Sequence, residues 1–431
     1  MPEAYRVDIL IKTSTGGKWI LEQAEELLRR GNKVRVILPL GRKGELGKTL
    51  ERHRIETVES PTDFRFRPNF GTIRGLYRLR REIRRNGTDV VLSHLYASTL
   101  AARISTLGLA LRRVQMVAGP LFLESALVRA VERSASRVDH VIINGCANAR
   151  DRYVALGYPS ERSPVISYGV DTRHYSRDEV AKAANPSMGQ VATADHASAL
   201  RAEVRDQLGI SRDAFVAIMV AFVYGPKGLV HKGVGIKGHH LILEAWRRFS
   251  DSHPNTHLLL VGGGHGAGGE RYREELIRNF ELNSSPNVLW LESVDDVRKY
   301  YVAADVSVSP SLSEGHGAAL EASSMSLPSI VSDAGGLPET VTSDSGWVVP
   351  RGKSEPLLNA LDVAYREFKL DRLGRRGEHA RRLAEKKFDR MRNAGAVADV
   401  VEKQASQVQS KRCEDLNSNG DSTGTISEKM R

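Results

Sequence analysis

The sequence predicts an α/β protein in which two parallel sheets, each wrapped by helices, form separate domains. Three observations point there. The chain has 431 residues, 41% of them hydrophobic, which is more than one hydrophobic core usually serves and ample for two. Near the N-terminus the apolar run VDILIKT is followed by Ser14-Thr15-Gly16-Gly17, a helical stretch from Trp19 to Arg30 and a second apolar run, VRVILPL. Strand, glycine turn, helix and strand in that order build a parallel sheet. From FVAIMVAFVY at Phe215 onward the same alternation starts again.

No apolar run reaches the length of about 18 residues that suggests a membrane span, and MPEAYRVDILIK lacks the basic start and apolar core of a signal peptide. The expectation is a cytoplasmic protein. Cys146 and Cys413 are too few for a disulfide framework, and neither is expected to do chemistry. The formal charge of +11 suits nucleic acid, an anionic membrane or an anionic substrate. Nucleic acid is the least favoured of these, because the basic residues form no recognisable motif and the aromatic content is modest.

In the first half, Gly16 and Gly17 let backbone approach a ligand closely. From Phe64 to Arg85 the chain is strongly basic, with Arg65, Arg67, Arg74, Arg78, Arg80, Arg81, Arg84 and Arg85 against Glu82. Ile73, Leu76, Tyr77 and Ile83 recur there at helical spacing, so an amphipathic basic helix is expected. It is either a solvated face or a patch for anionic lipid headgroups or an anionic acceptor. DVVLSHLY follows as a buried strand ending in His94. Residues 176–199, rich in Ala, Ser and Asp, suggest a linker.

The most informative stretch is SPSLSEGHGAALEASSMSLPSIVSDAGGLPETV, from Ser309 to Val341. A helix that starts directly after a glycine-rich loop points free amides and a partial positive charge at what lies above it, which suits phosphate. Glu314 and Glu321 stand seven positions apart, and on a helix reaching back to Glu314 they would share one face. Carboxylates for hydroxyls beside amides for phosphate describe a nucleotide sugar. A competing motif, Gly264-His265-Gly266-Ala267-Gly268-Gly269 after the strand HLLLV, meets the dinucleotide fingerprint and would make the chain an oxidoreductase. It follows the second strand of its domain rather than the first, and Glu292 comes later than the acidic partner of that motif usually does.

The Ser309–Val341 stretch resembles the C-terminal signature of glycosyltransferase family 4, retaining enzymes of the GT-B fold. The resemblance implies two facing Rossmann-like domains with the active site in the interdomain cleft. It gives Glu314 the donor sugar's hydroxyls, Gly315, His316 and Gly317 the sugar and diphosphate through their amides, Glu321 the ribose, and Lys237 the diphosphate. Gly16-Gly17 would lie near the diphosphate, and His94 near the reacting sugar as a catalytic residue beside Glu314. The segments VDHVIING, YVALGY and VISYGVDTRHY match the last stages of the family's first domain, with Tyr168 where an asparagine is usual. Two departures stand out. Six residues separate Glu314 from Glu321, one fewer than is usual, and Phe222 replaces an arginine that contacts diphosphate. Lys227, His231 and Lys232 are the available substitutes, and Lys232 is favoured.

The expected layout is a first domain over 1–176, a linker over 177–200, a nucleotide-sugar domain over 201–376, helices crossing back over 377–403, and a disordered polar tail over 404–431. No metal or cofactor is expected. The chain has no Asp-x-Asp pair and no zinc-like histidine spacing beyond His239-His240, and family 4 is habitually metal-independent. The donor would be a nucleoside-diphosphate sugar, and the acceptor a glycan, a lipid-linked precursor or a small molecule. The alternative from another class is a catalytically degenerate binding protein of the same fold.

Overall fold

A parallel strand covered by helices on both faces has no polar side to show, so its sequence is continuously apolar rather than alternating. In the computed structural model, which describes residues 4–14, 16–17, 19–39, 44–62, 64, 69–119, 121–184, 194–226 and 233–421, such runs build two units. One comprises Met1–Ala118, Phe122–Tyr168 and Arg390–Arg431; the other comprises Gly119–Leu121 and Gly169–Asp389.

The first unit alternates strand and helix through β1 (Arg6–Ile11), α1 (Trp19–Arg29), β2 (Lys33–Leu38), α2 (Glu45–Arg52), β3 (Glu56–Glu59), α3 (Phe70–Asn86), β4 (Val90–His94), α4 (Tyr96–Thr106), β5 (Arg112–Val117), α5 (Ala126–Ala135), β6 (Val141–Asn144) and α6 (Ala147–Ala155). Its strands lie parallel in the order β3-β2-β1-β4-β5-β6. The direction of winding reverses between β1 and β4, where Ile11 lies opposite His94. Asp8 is the polar exception in the middle of β1. It accepts from Arg35 at 2.9 and 3.0 Å, from Asn86 Nδ2 at 3.0 Å and from Thr88 Oγ1 at 2.6 Å, so its buried charge is compensated.

The second unit holds α7 (Arg177–Ala184), α8 (Ala194–Gln207), β7 (Phe215–Val220), α9 (His239–Ser252), β8 (Thr256–Val261), α10 (Gly266–Asn279), β9 (Val288–Leu291), α11 (Arg298–Ala303), β10 (Val306–Ser309), α12 (Ala318–Ser324), β11 (Ser329–Ser332), β12 (Gly346–Val349), α13 (Ser354–Lys369) and α14 (Leu373–Lys387). Its sheet is also parallel, ordered β12-β11-β10-β7-β8-β9, with the reversal between β7 and β10. Both units therefore have the winding of a Rossmann-like sheet, and in such sheets ligands sit beyond the carboxyl ends of the strands at the reversal.

The segment boundaries differ from the expected ones. Residues 177–200 are not a plain linker. Both α7 and α8 enter this segment, and Val180 and Leu200 join a core cluster with Val216 and Ile218 of β7. Helix α14 also stays with the second unit, since Gly377 sits so close to the Ser326 carbonyl oxygen that a Cβ would lie 2.2 Å from it. Only α15 (Arg390–Asp421) returns to the first unit.

Of the expected disordered tail, residues 404–421 are instead the second half of that helix. Val397, Val401, Ala405 and Val408 are buried at helical spacing, and Arg412 Nη1 donates to Asp89 Oδ1 at 2.7 Å. The polar residues between them hid the stripe. Residues 422–431 lie outside the described residues. Among the described residues no helix is long and apolar enough to cross a membrane.

Candidate functional site

At the reversal of the second sheet, two loops are tied together. Leu312 N, after β10, donates to the Ile236 carbonyl oxygen at 2.8 Å. Gly238 takes a φ of +77°, and a Cβ there would lie 2.3 Å from the Pro310 carbonyl oxygen. This position therefore requires glycine twice over, for its left-handed backbone and for the close approach. The result sets Lys237 against Glu314, and its ammonium donates to Glu314 Oε2. The other carboxylate oxygen accepts from Gly315 N at 3.1 Å. Burial opposes the lysine's charge, but the facing carboxylate outweighs it and holds the Lys237 pKa above the usual lysine value.

Lys237, Glu314, His316 and Gly317 line one pocket together with Ser309 and Ser311. Gly317 has a φ of +51°, and a Cβ there would come within 3.2 Å of the Glu314 carboxylate. His316 is buried against Phe388, with ring centroids 5.0 Å apart, and its Nε2 lies 3.6 Å from Glu339 Oε2.

Glu321 has a different setting. The helix begins only at Ala318, so Glu314 remains in the loop and the two glutamates share no helix face. Glu321 is not among the residues lining that pocket. Its Oε2 accepts from the buried Tyr301 hydroxyl at 3.1 Å. Burial, with the Glu321 charge beside it, raises the Tyr301 pKa well above its ordinary value, so the phenol stays a donor.

Phe222 is half exposed, its ring edge-on to His265 with centroids 5.9 Å apart, and it supplies no cation. Lys232, the favoured substitute, lies with Lys227 and His231 outside the described residues. The glycine loop after β8 is occupied from within. Gly264 N donates to Glu270 Oε2 at 2.9 Å. Gly269 and Gly225 answer to packing, because a Cβ on Gly269 would sit 2.2 Å from the Val223 carbonyl oxygen and one on Gly225 2.7 Å from that of Gly268. A loop whose first amide already holds a carboxylate is poorly prepared for a dinucleotide's pyrophosphate.

In the first unit, Gly16 and Gly17 follow β1 with φ of +70° and +73°, and a Cβ on Gly17 would press Ile11 Cδ1 at 3.0 Å. Thr15 and Lys18, on either side, are outside the described residues. His94 ends the adjoining strand β4, fully buried. Leu95 after it is held at a φ of +68°, unusual for a residue with a Cβ, as the chain turns into α4. Burial pushes the His94 pKa down to about 3, so the imidazole is neutral at physiological pH. Its Nδ1 lies 3.1 Å from the Tyr168 hydroxyl, whose ring packs on Trp19 with centroids 5.2 Å apart. His94 Nε2 is buried and has no hydrogen-bond partner among the described residues. Tyr168 stands out in the sequence only as a departure from the family's usual asparagine and Tyr301 not at all, and neither contact leaves a local pattern, since each tyrosine lies far along the chain from its partner.

Comparison with known proteins matches both halves. Residues 16–174 fit the family model Glycosyltransferase Family 4, and residues 228–367 fit the model Glycosyl transferases group 1. A GDP-mannose-dependent monoacylated alpha-(1-6)-phosphatidylinositol monomannoside mannosyltransferase of Corynebacterium glutamicum is 31% identical over 153 residues, covering 32% of this chain and 38% of that protein. Alpha-monoglucosyldiacylglycerol synthase of Acholeplasma laidlawii is 31% identical over 129 residues, covering 30% and 29%. The chain thus spans well under half the length of these curated relatives. Among solved structures, a glycosyltransferase from Rickettsia africae superposes with a TM-score of 0.74 at 17% identity, covering 93% of this chain and 99% of that one. HepE from Anabaena, in complex with UDP, gives 0.72 at 18%, covering 93% and 100%. At such identities the likeness speaks for the fold, which is GT-B, two Rossmann-like units each with a parallel six-stranded sheet. With family models fitting both halves of the sequence and that fold shared over nearly its whole length, the chain belongs to glycosyltransferase family 4.

Proposed function

We propose that this protein is a retaining, metal-independent glycosyltransferase that moves a sugar from a nucleoside-diphosphate sugar to an acceptor hydroxyl. The observation that carries the reading is the meeting of Lys237, Glu314 and the Gly315–Gly317 turn at the reversal of the second sheet. Lys237 and Glu314 pair with each other. A diphosphate entering beside Lys237 takes over its ammonium and leaves the Glu314 carboxylate to accept from donor sugar hydroxyls. As the bond to the anomeric carbon breaks, negative charge grows on the departing diphosphate, which the ammonium would stabilise together with the loop amides, Gly315 N joining them once the Glu314 carboxylate it holds has turned to the sugar. Neutral His94 offers Nε2 as a hydrogen-bonding atom for the reacting sugar, and Gly16-Gly17 offers backbone to the diphosphate. Glu321, steadied by Tyr301, takes the ribose hydroxyls. Retention at the anomeric carbon follows from the family.

Relatives support both ends of the reaction. HepE has been solved with UDP-glucose, and the Corynebacterium relative is named for GDP-mannose and a phosphatidylinositol mannoside. The Acholeplasma relative is named for a glucosyldiacylglycerol. We therefore favour a lipid-linked acceptor in cell-envelope glycoconjugate synthesis over a soluble one.

Thermal unfolding with UDP, GDP, ADP and NAD in parallel tests the reading. One nucleoside diphosphate at about a hundred times its Kd should raise the melting temperature by roughly 5–10 °C. No shift with any nucleoside diphosphate, or a shift with NAD alone, overturns it.

A further inference from the structure

Helix α3 presents two apolar stripes where a surface helix needs one. The inner stripe, Leu79 and Ile83 with Leu76, packs into the first unit. The outer one is formed by Phe70, Ile73 and Tyr77, which are 90%, 66% and 68% exposed. At 100° per residue these three fall in one sector with Arg74, Arg78, Arg81, Arg84 and Arg85, about 140° wide in all. Those arginines form no ion pair among the described residues. The helix's acidic residue, Glu82, stands outside the sector and accepts from Arg35 Nη1 at 3.0 Å. Beside the sector, Arg80 Nη1 donates to the Leu107 carbonyl oxygen at 2.6 Å. This brings up the end of α4, where Ile104 and Leu107 are 53% and 61% exposed.

We propose that this face of α3 is a docking surface for a bilayer containing anionic lipid. Phe70, Ile73 and Tyr77 would enter the headgroup boundary, and the arginines would lie against lipid phosphates. A second copy of the chain does not fit, since a two-fold contact sets the same arginines against each other. A nucleic acid or anionic polysaccharide would satisfy the arginines and leave Phe70 and Ile73 in water. An interface with apolar depth under a layer of negative charge satisfies both. The surface rests on its own geometry, and the proposed transfer reading enters only in its use, which is to hold the enzyme where a lipid-linked acceptor resides.

The test is co-sedimentation of the full-length protein with phosphatidylcholine vesicles, with and without about one third phosphatidylglycerol. The protein should pellet with the anionic vesicles and be released by raised salt. The Arg74→Glu/Arg81→Glu double variant should bind at least about tenfold more weakly, and Phe70→Ser/Ile73→Ser several-fold more weakly at unchanged charge. A wild-type protein that stays in the supernatant overturns the proposal, as does a charge-reversal variant that pellets normally. Unchanged binding of the Phe70/Ile73 variant also overturns it, because adsorption would then be to any polyanion. Stabilisation by UDP or GDP reads the second unit separately. Vesicle binding lost with that stabilisation kept removes the docking surface alone, and the reverse outcome removes the transfer reading alone.

Discussion

Tyr168 occupies a position that decides what His94 can do. The imidazole is neutral and buried, so its part in the proposed transfer would run through a hydrogen bond whose direction is set by whichever nitrogen carries the proton. Nδ1 faces the Tyr168 hydroxyl at 3.1 Å, and Nε2 keeps whatever role that partner leaves it. Tyr168→Phe removes this hydroxyl while preserving the ring that packs on Trp19. Turnover should fall by about tenfold, the cost of a loosened reacting group, with little change in donor affinity. Steady-state kinetics beside nucleotide titration would show the split, and an equal loss in both would give Tyr168 a purely structural role. Glu314 is marked in the sequence by its glycine-rich loop and His94 by the end of a buried strand, whereas Lys237, and the role expected of His94, come from the family resemblance. The sequence could not show that Tyr168 meets His94 or Tyr301 meets Glu321, because a contact spanning 74 residues, or 20, leaves no local pattern.

Among the elements, α4, α5 and β5 are held by a cluster that apolar periodicity does not reveal. Arg103 of α4 reaches both oxygens of Glu132 at 2.6 and 3.0 Å, Asp139 at 2.6 Å and Gln115 at 3.0 Å, and Tyr153 donates to Glu132 at 3.0 Å, all of them buried. Burial raises the Asp139 pKa to about 6 in spite of the facing guanidinium. Arg103→Met would strand two buried carboxylates and should cost about 3–5 kcal/mol, read from urea unfolding. Adding Glu132→Gln and Asp139→Asn should recover much of it; no recovery would mean that volume rather than charge matters there. The strands were legible as apolar runs, whereas α15 was only half legible. Its buried Ala405 and Val408 are small and interleaved with polar residues, so the composition beyond residue 404 hid a packed helix.

For the molecule as a whole, buried histidines set the response to acid. Burial lowers the pKa of His94 and His239 to about 3, with Lys237 adding to the effect at His239. It lowers His140 to about 4, with nearby arginines contributing. The unfolded chain protonates these rings near pH 6.5. Below that pH the unfolded state binds more protons, so stability is complete above about 6.5 and is lost as pH falls toward 3. Asp139, with its raised pKa, works the other way between its ordinary value and about 6, one group against three. Melting temperature should therefore hold near neutrality and drop steadily from pH 6.5 to 4. His239→Phe, which keeps a ring stacked on Trp290, should flatten the drop, and an unchanged slope would place the sensitivity elsewhere.

The return of α15 to the first unit has a consequence for biosynthesis. Val397, Ala398, Val401 and Ala405 complete the core formed by Ile20, Ala24 and Leu27 of α1, although hundreds of residues separate them along the chain. On the ribosome the first unit emerges early but keeps that apolar groove open until the last helix has been made. The body of the second unit, continuous from Gly169 to Asp389, can close while synthesis is still under way. The half of the protein translated first is thus the half that finishes folding last, and its nascent groove is the surface a chaperone would meet.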